Sequence, residues 1–424
     1  MAGNVGQGDI RGPLYSMAWR VYLQDWPIDQ PKVWISLAET QRRAYQHLCK
    51  RIHRDLKPPS SVSMEDPLQS DSSGASTKYR EKMQMQDQIQ LDVDRLVELN
   101  ETDGKALKRL LFVWSCINME IGYRQGMHEI ARFLWQLRES EHRPTSIHEP
   151  AKTTMEPRSP EDRCLDLEKD TLFMQSFSQD EIGQLLSAEE VEADTFYLAS
   201  SLFQRLAPYY TATRAASPAL LRAILHRVDC KFSQHLLDLQ FDWQPILLKW
   251  HRLLFLNVFA QEDTKRLWHE CFQVDPKLEL IPYLSLVIVL SMRERLMNSS
   301  YTDAMQTLMH QVSIYVSIED LVAHSEALRA APTPETASSI IAVRQPNLSA
   351  DRSLVAKARE RFQEIADSNA HRLALDLMHR SLLSHRTTQP PEWSPRTEDR
   401  LHADKTDKDT QRRRAMLSLD QTNK

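Results

Sequence analysis

The chain has 424 residues but only 9 glycines, none of them beyond Gly183, where average usage of roughly 7% would supply about 30. These positions assemble neither G-x-G-x-x-G nor G-x-x-x-x-G-K-[ST], which excludes the nucleotide-binding folds that pass glycine backbone close to phosphates. Hairpin-rich β folds are disfavoured for want of turn glycines, and the formal net charge of -5 lacks the basic footprint of a dedicated nucleic-acid binder. What remains is an all-α protein.

Along the chain, residues 59–77 are Ser-rich with Pro59, Pro67 and Gly74, a composition too polar to offset the entropy of ordering. Leu107, Leu110, Leu111, Trp114 and Ile117 then fall on one stripe at helical spacing and predict an amphipathic helix with that face in the core. Residues 139–187 turn charged and polar again, with Pro144, Pro150, Pro157 and Pro160, and are expected to be mobile like 59–77. Apolar density from Ile246 to Phe259 and from Leu278 to Leu296 predicts two further helices. The longest apolar run, Ile281 to Met292, is too short to span a bilayer and reads as a buried helix. A helical extension is expected over 316–385 and a disordered tail over 386–424, where Arg412, Arg413 and Arg414 read as a solvated charge cluster.

The five cysteines, Cys49, Cys116, Cys164, Cys230 and Cys271, are far apart and form no C-x-x-C. They read as reduced thiols, and the opening residues lack a cleavable signal, so a cytoplasmic location is expected. No HExxH and no His/Cys ligand spacing occurs, so no metal site is expected.

One string misleads. His53-Arg54-Asp55-Leu56-Lys57-Pro58 reads like the catalytic loop of a protein kinase, but the magnesium-holding asparagine five residues after the aspartate is replaced by Ser60. Only 52 residues precede it, too few for a nucleotide lobe, and no Asp-Phe-Gly follows. Basic residues ending a helix before Pro58 and Pro59 explain it without function.

Two other strings belong together. Ile89-Gln90-Leu91-Asp92-Val93-Asp94-Arg95 has the form I-x-x-D-x-x-R, and Tyr123-Arg124-Gln125-Gly126-Met127 has the form Y-x-Q-G-M. In this order and separation they resemble the paired signatures of the TBC domain, the family of GTPase-activating proteins for Rab-type GTPases. The resemblance extends over roughly residues 10–315. It takes in an opening segment with Arg11 and Trp19, and the later Trp250-His251-Arg252-Leu253-Leu254-Phe255 and Arg266-Leu267-Trp268. His269 departs from the Asp or Asn usual after that tryptophan. Tyr123 to Glu129, with Asp66-Pro67-Leu68, is similar to a subgroup associated with retromer, endosomes and autophagy.

The resemblance implies an all-α fold of two helical halves over 10–315 and a Rab-family GTPase in its GTP state as partner, with GTP and magnesium belonging to that partner. It implies Arg95 and Gln125 as catalytic fingers, with Ile89, Asp92, Tyr123, Gly126 and Met127 in support. It further implies membrane association only through partners, with recruitment to endosomes, and it leaves open a non-catalytic Rab-binding or retromer-linked scaffold. The chemistry is consistent with that set. A guanidinium forks across phosphate oxygens as lysine cannot, and a carboxamide holds an attacking water without a shifted pKa. Arg124 and His128 read as surface or satisfied polar residues.

Overall fold

The computed structural model describes residues 14–28, 30–56, 74–96, 99–142, 177–211, 218–312 and 316–342, and every regular element among them is helical. The N-terminal helices are α1 (Tyr15–Gln24), α2 (Trp34–Asp55), α3 (Gly74–Asp94), α4 (Glu101–Ile117) and α5 (Met127–His142). After a short α6 (Gln179–Leu185) comes the long α7 (Val191–Tyr210). The rest comprises α8 (Pro218–Val228), α9 (Cys230–Asp238), α10 (Gln244–Arg252), α11 (Gln261–Val274), α12 (Ile281–Ser291), α13 (Arg293–Met297), α14 (Tyr301–His310), α15 (Ile318–Ala330) and α16 (Pro334–Ala342).

Helix α7 is the common wall. It packs against α1, α2, α4 and α5 and also against α10, and one buried apolar cluster runs from Trp19 through Phe203 and Trp250 to Ile340. Trp19, Trp114, Trp243, Trp250 and Trp268 are fully sealed within it. Each such ring removes about 200 Å² from water, worth about 5 kcal/mol before entropy is set against it. Helix α12 is apolar all round and almost wholly buried, as its sequence predicts. Helices α15 and α16 pack on α12 and complete the same core.

Several boundaries differ from expectation. Residues 74–77, placed by composition in a polar segment, already begin α3. The segment 139–187 is ordered at both ends: 139–142 finish α5, and 177–187 fold back as α6. Two things hold that return. Phe177, Ile182, Leu185 and Leu186 bury themselves with Trp34, and Ser178 with Glu181 forms a reciprocal capping box. The apolar stretch 246–259 is not one helix, because α10 stops at Arg252 and tight turns follow. Ile117, though on the apolar stripe of α4, is exposed at the helix end, whereas Phe112 and Val113 off the stripe are buried. The reason is that α4 is packed by α2, α3, α5 and α7 together. Most of 316–385 and all of 386–424 lie outside the described residues.

A buried ionic cluster escaped the sequence. Asp194 on α7 meets Arg20 of α1 at 2.9 Å, Arg42 of α2 at 2.9 Å and Arg138 of α5 at 3.0 Å. Arg42 and Arg138 also donate to the Leu185 carbonyl oxygen at 2.8 and 3.2 Å, cations placed where the last carbonyls of α6 need donors.

Candidate functional site

The last two turns of α3 face two ways. Ile89 and Val93 enter the core and Asp92 is buried beside them, while Leu91, Asp94 and Arg95 stay exposed. This follows from spacing, since positions 89, 92 and 93 share a helix face and 91 and 95 share another. Arg95 stands just past the end of the helix, and its Nη1 donates to Asp92 Oδ1 at 3.3 Å. The carboxylate is sealed but the arginine side chain is 71% exposed. An ion pair of this kind is worth about 0–1 kcal/mol, so the guanidinium is rooted without being locked.

The second motif arrives from α4 through a loop with two forced glycines. Asn118 closes it by accepting from the backbone N–H of Gly122 at 2.8 Å, where φ is +61°. The Met127 N–H then donates to the Arg124 carbonyl at 3.1 Å, making a turn with Gln125 and Gly126 at its corners. Gly126 has φ +102°, and a Cβ there would lie 2.8 Å from Cδ2 of Leu253. Both demands leave glycine as the residue that fits. Gln125 is exposed at the outer corner, whereas Tyr123 and Met127 are buried on either side.

Asp92 joins the motifs. The Tyr123 hydroxyl donates to Asp92 Oδ2 at 2.9 Å and sits 2.7 Å from His128 Nδ1. Burial, then the Asp92 carboxylate, drives the Tyr123 pKa far up, so the hydroxyl keeps its proton as a donor. Burial lowers the His128 pKa against the opposing pull of Asp92 and Glu129, which favours neutral imidazole. His128 is thus a satisfied polar residue, one of the two readings its sequence context allowed, and it belongs to the site.

A cleft of about 420 Å³ opens beside Arg95, with Asp92, His128 and Arg132 on one side and Leu256, Asn257 and Phe259 on the other. The second wall is the turn after α10, where Leu254, Phe255 and Asn257 all have positive φ. Bonds from Phe255 N–H to the Trp250 carbonyl and from Trp268 Nε1–H to the Leu254 carbonyl, both 2.8 Å, hold it there. Asn257 Nδ2 also donates to Glu129 on α5. This wall was not readable from the sequence, because a turn more than a hundred residues after Gly126 carries no motif of its own.

Ile89 and Met127 lie in the core, Asp92, Tyr123 and Gly126 form the buried floor, and Arg95 and Gln125 emerge from it. His269 packs edge-on against Tyr15 and Tyr22, away from this floor, at ring separations of 5.4 and 5.8 Å. The kinase-like string occupies the last turn of α2, with His53, Arg54 and Asp55 exposed, and Lys57, Pro58 and Ser60 lie outside the described residues. Among the described residues no group of three or more His, Cys, Asp or Glu is gathered to hold a metal ion, and no helix is long and apolar enough to cross a membrane.

A family model described as the Rab-GTPase-TBC domain matches residues 31–297, a span that includes the whole site. TBC1 domain family member 5 of Homo sapiens is 24% identical over 362 residues, covering 76% of this chain and 42% of that protein. TBC1 domain family member 5 homolog B of Dictyostelium discoideum is 32% identical over 123 residues, covering 28% of this chain and 12% of that protein. The chain spans less than half the length of these curated relatives. Among solved structures, the Ypt/Rab-GAP domain of Gyp1p aligns with TM-score 0.47 at 16% identity, covering 74% of this chain and 92% of that one.

Proposed function

The chain belongs to the Rab-GTPase-TBC domain family, and from that premise we propose that it accelerates GTP hydrolysis by a Rab-family GTPase, supplying Arg95 and Gln125 in trans. The observation that carries this is the exposure of both side chains at the edge of one buried polar floor, Asp92 hydrogen-bonded to Tyr123 at 2.9 Å.

Hydrolysis by a small GTPase is slow because charge on the transferring phosphoryl group is poorly neutralised and the attacking water poorly held. In this reading the GTPase brings GTP and magnesium. Arg95 swings off its single contact with Asp92 and forks across phosphate oxygens, a contribution of about 10³ to 10⁵ in rate. Gln125 accepts a hydrogen bond from the attacking water through its amide oxygen and donates through its nitrogen. Asp92 transfers no proton; it holds the root of Arg95 and the hydroxyl of Tyr123. Gly126 lets the turn that presents Gln125 lie against Leu253.

The test is single-turnover hydrolysis by a panel of GTP-loaded Rab GTPases with and without the wild-type chain. Acceleration of at least one Rab is expected. If every rate stays at its intrinsic value while a complex with a GTP-loaded Rab is measurable, the non-catalytic Rab-binding reading replaces this one.

A further inference from the structure

Tyr123 has one hydroxyl proton and two buried neighbours that compete for it, Asp92 Oδ2 at 2.9 Å and His128 Nδ1 at 2.7 Å. The three side chains are buried, at 4%, 6% and 8% exposure for Tyr123, Asp92 and His128, so an unmade bond here carries the full desolvation penalty. If the phenol donated to His128, Asp92 Oδ2 would face an oxygen without a proton between them. If it donates to Asp92, the phenol oxygen is free to accept, and His128 Nδ1 must carry the hydrogen. The second arrangement satisfies every atom.

We propose that His128 is a positioning residue: held as the Nδ1–H tautomer, it donates to the Tyr123 oxygen, commits the hydroxyl proton to Asp92 Oδ2, and so leaves Asp92 Oδ1 aimed at Arg95. The tautomer of a histidine is set by what its other nitrogen meets, and here the setting is the reverse of the Nε2–H form that free neutral imidazole favours. The relay runs His128 to Tyr123 to Asp92 to Arg95, and its last bond, 3.3 Å from Nη1 to Oδ1, is the one the guanidinium must leave to act. The consequence for catalysis rests on the reading of Arg95 as the arginine finger; the tautomer does not.

The experiment has two arms on the full chain. Long-range ¹H–¹⁵N spectra of chain labelled at histidine, with the His128 signal identified by its loss in His128→Asn, are expected to show a neutral Nδ1–H ring at pH 7 that shifts away from that form in Tyr123→Phe. A neutral Nε2–H ring in the wild type overturns the proposal whatever the kinetics show.

In the second arm, His128→Leu is expected to lower kcat about tenfold to a hundredfold on a Rab that the wild type accelerates, as for small misplacements of reacting groups. KM and the unfolding midpoint should change little. His128→Asn, whose amide can still donate, should restore most of the rate, and His128→Leu should add no further loss in an Arg95→Ala background. A wild-type kcat in a folded His128→Leu overturns the positioning role. If no Rab responds to the wild type, the GTPase reading falls and the tautomer arm decides this one alone.

Discussion

Two aspartates in this molecule hold arginines, and they hold them differently. Asp194 is surrounded by Arg20, Arg42 and Arg138, all buried. Burial alone would raise its pKa, but the charge of Arg20, the hydrogen bond from Arg42 and the charge of Arg138 keep it well below the usual carboxylate range. Its arginines have further duties, Arg20 lying over the Trp26 ring at 4.9 Å and the other two holding carbonyls at the end of α6. Nothing in that cluster is free to leave. Asp92 is equally sealed, yet its one arginine reaches solvent by a single contact. Charge used for structure is paired several times over, whereas charge kept for a partner is anchored at its base and loose at its tip.

The largest effects should separate the two. Arg95→Ala is expected to abolish about 10³-fold or more of the acceleration of a responding Rab with the urea unfolding midpoint unchanged, since an exposed pair is lost. A shifted midpoint would mean Arg95 is structural. Asp194→Ala should do the reverse. It strands three buried guanidinium groups and is expected to cost about 3–5 kcal/mol in urea unfolding, while the molecules still folded keep their rate.

Gly126→Ala should cost about 1–3 kcal/mol through its positive φ and the approach to Leu253, and should also displace Gln125 and slow hydrolysis. Equal stability would show that the turn relaxes. Acid sharpens the comparison further. His251, hydrogen-bonded to Ser285 at 2.8 Å, is pushed down to about 3 by burial. It stays neutral when folded but takes a proton when unfolded below pH ~6.5. Stability should therefore fall as pH drops from about 6.5 toward 3, and His251→Gln should flatten that limb of a pH series of unfolding curves. Asp194 acts lower, its contribution present above the unfolded carboxylate pKa and lost as pH falls toward its depressed folded value. The smallest effect is at the kinase-like string: Asp55→Ala, exposed on α2, should change neither hydrolysis nor stability.

Much of the site was legible because Asp92, Arg95, Tyr123, Gln125 and Gly126 sit in two short strings whose order and separation are distinctive. The helical class followed from scarce glycine and the stripe of α4. What stayed hidden depends on distant contact. Nothing near His128 announces that it would meet a tyrosine bonded to an aspartate of the other motif. Leu253 and Asn257 reach the site only because the chain leaves α10 through positive-φ turns that no glycine marks. Arg20, Arg42 and Arg138 read as surface charge until α1, α2 and α5 converge on Asp194. The return of 177–187 was masked by the polar residues before it, although the Ser178 to Glu181 cap was in plain view.

The account depends most on Arg95 acting through its fork and not merely its charge. The direct measurement is single-turnover GTP hydrolysis by a responding Rab with Arg95→Lys, matched for folded concentration to the wild type. It predicts a rate no better than that with Arg95→Ala, because an ammonium cannot span two phosphate oxygens. A rate near that of the wild type would contradict it.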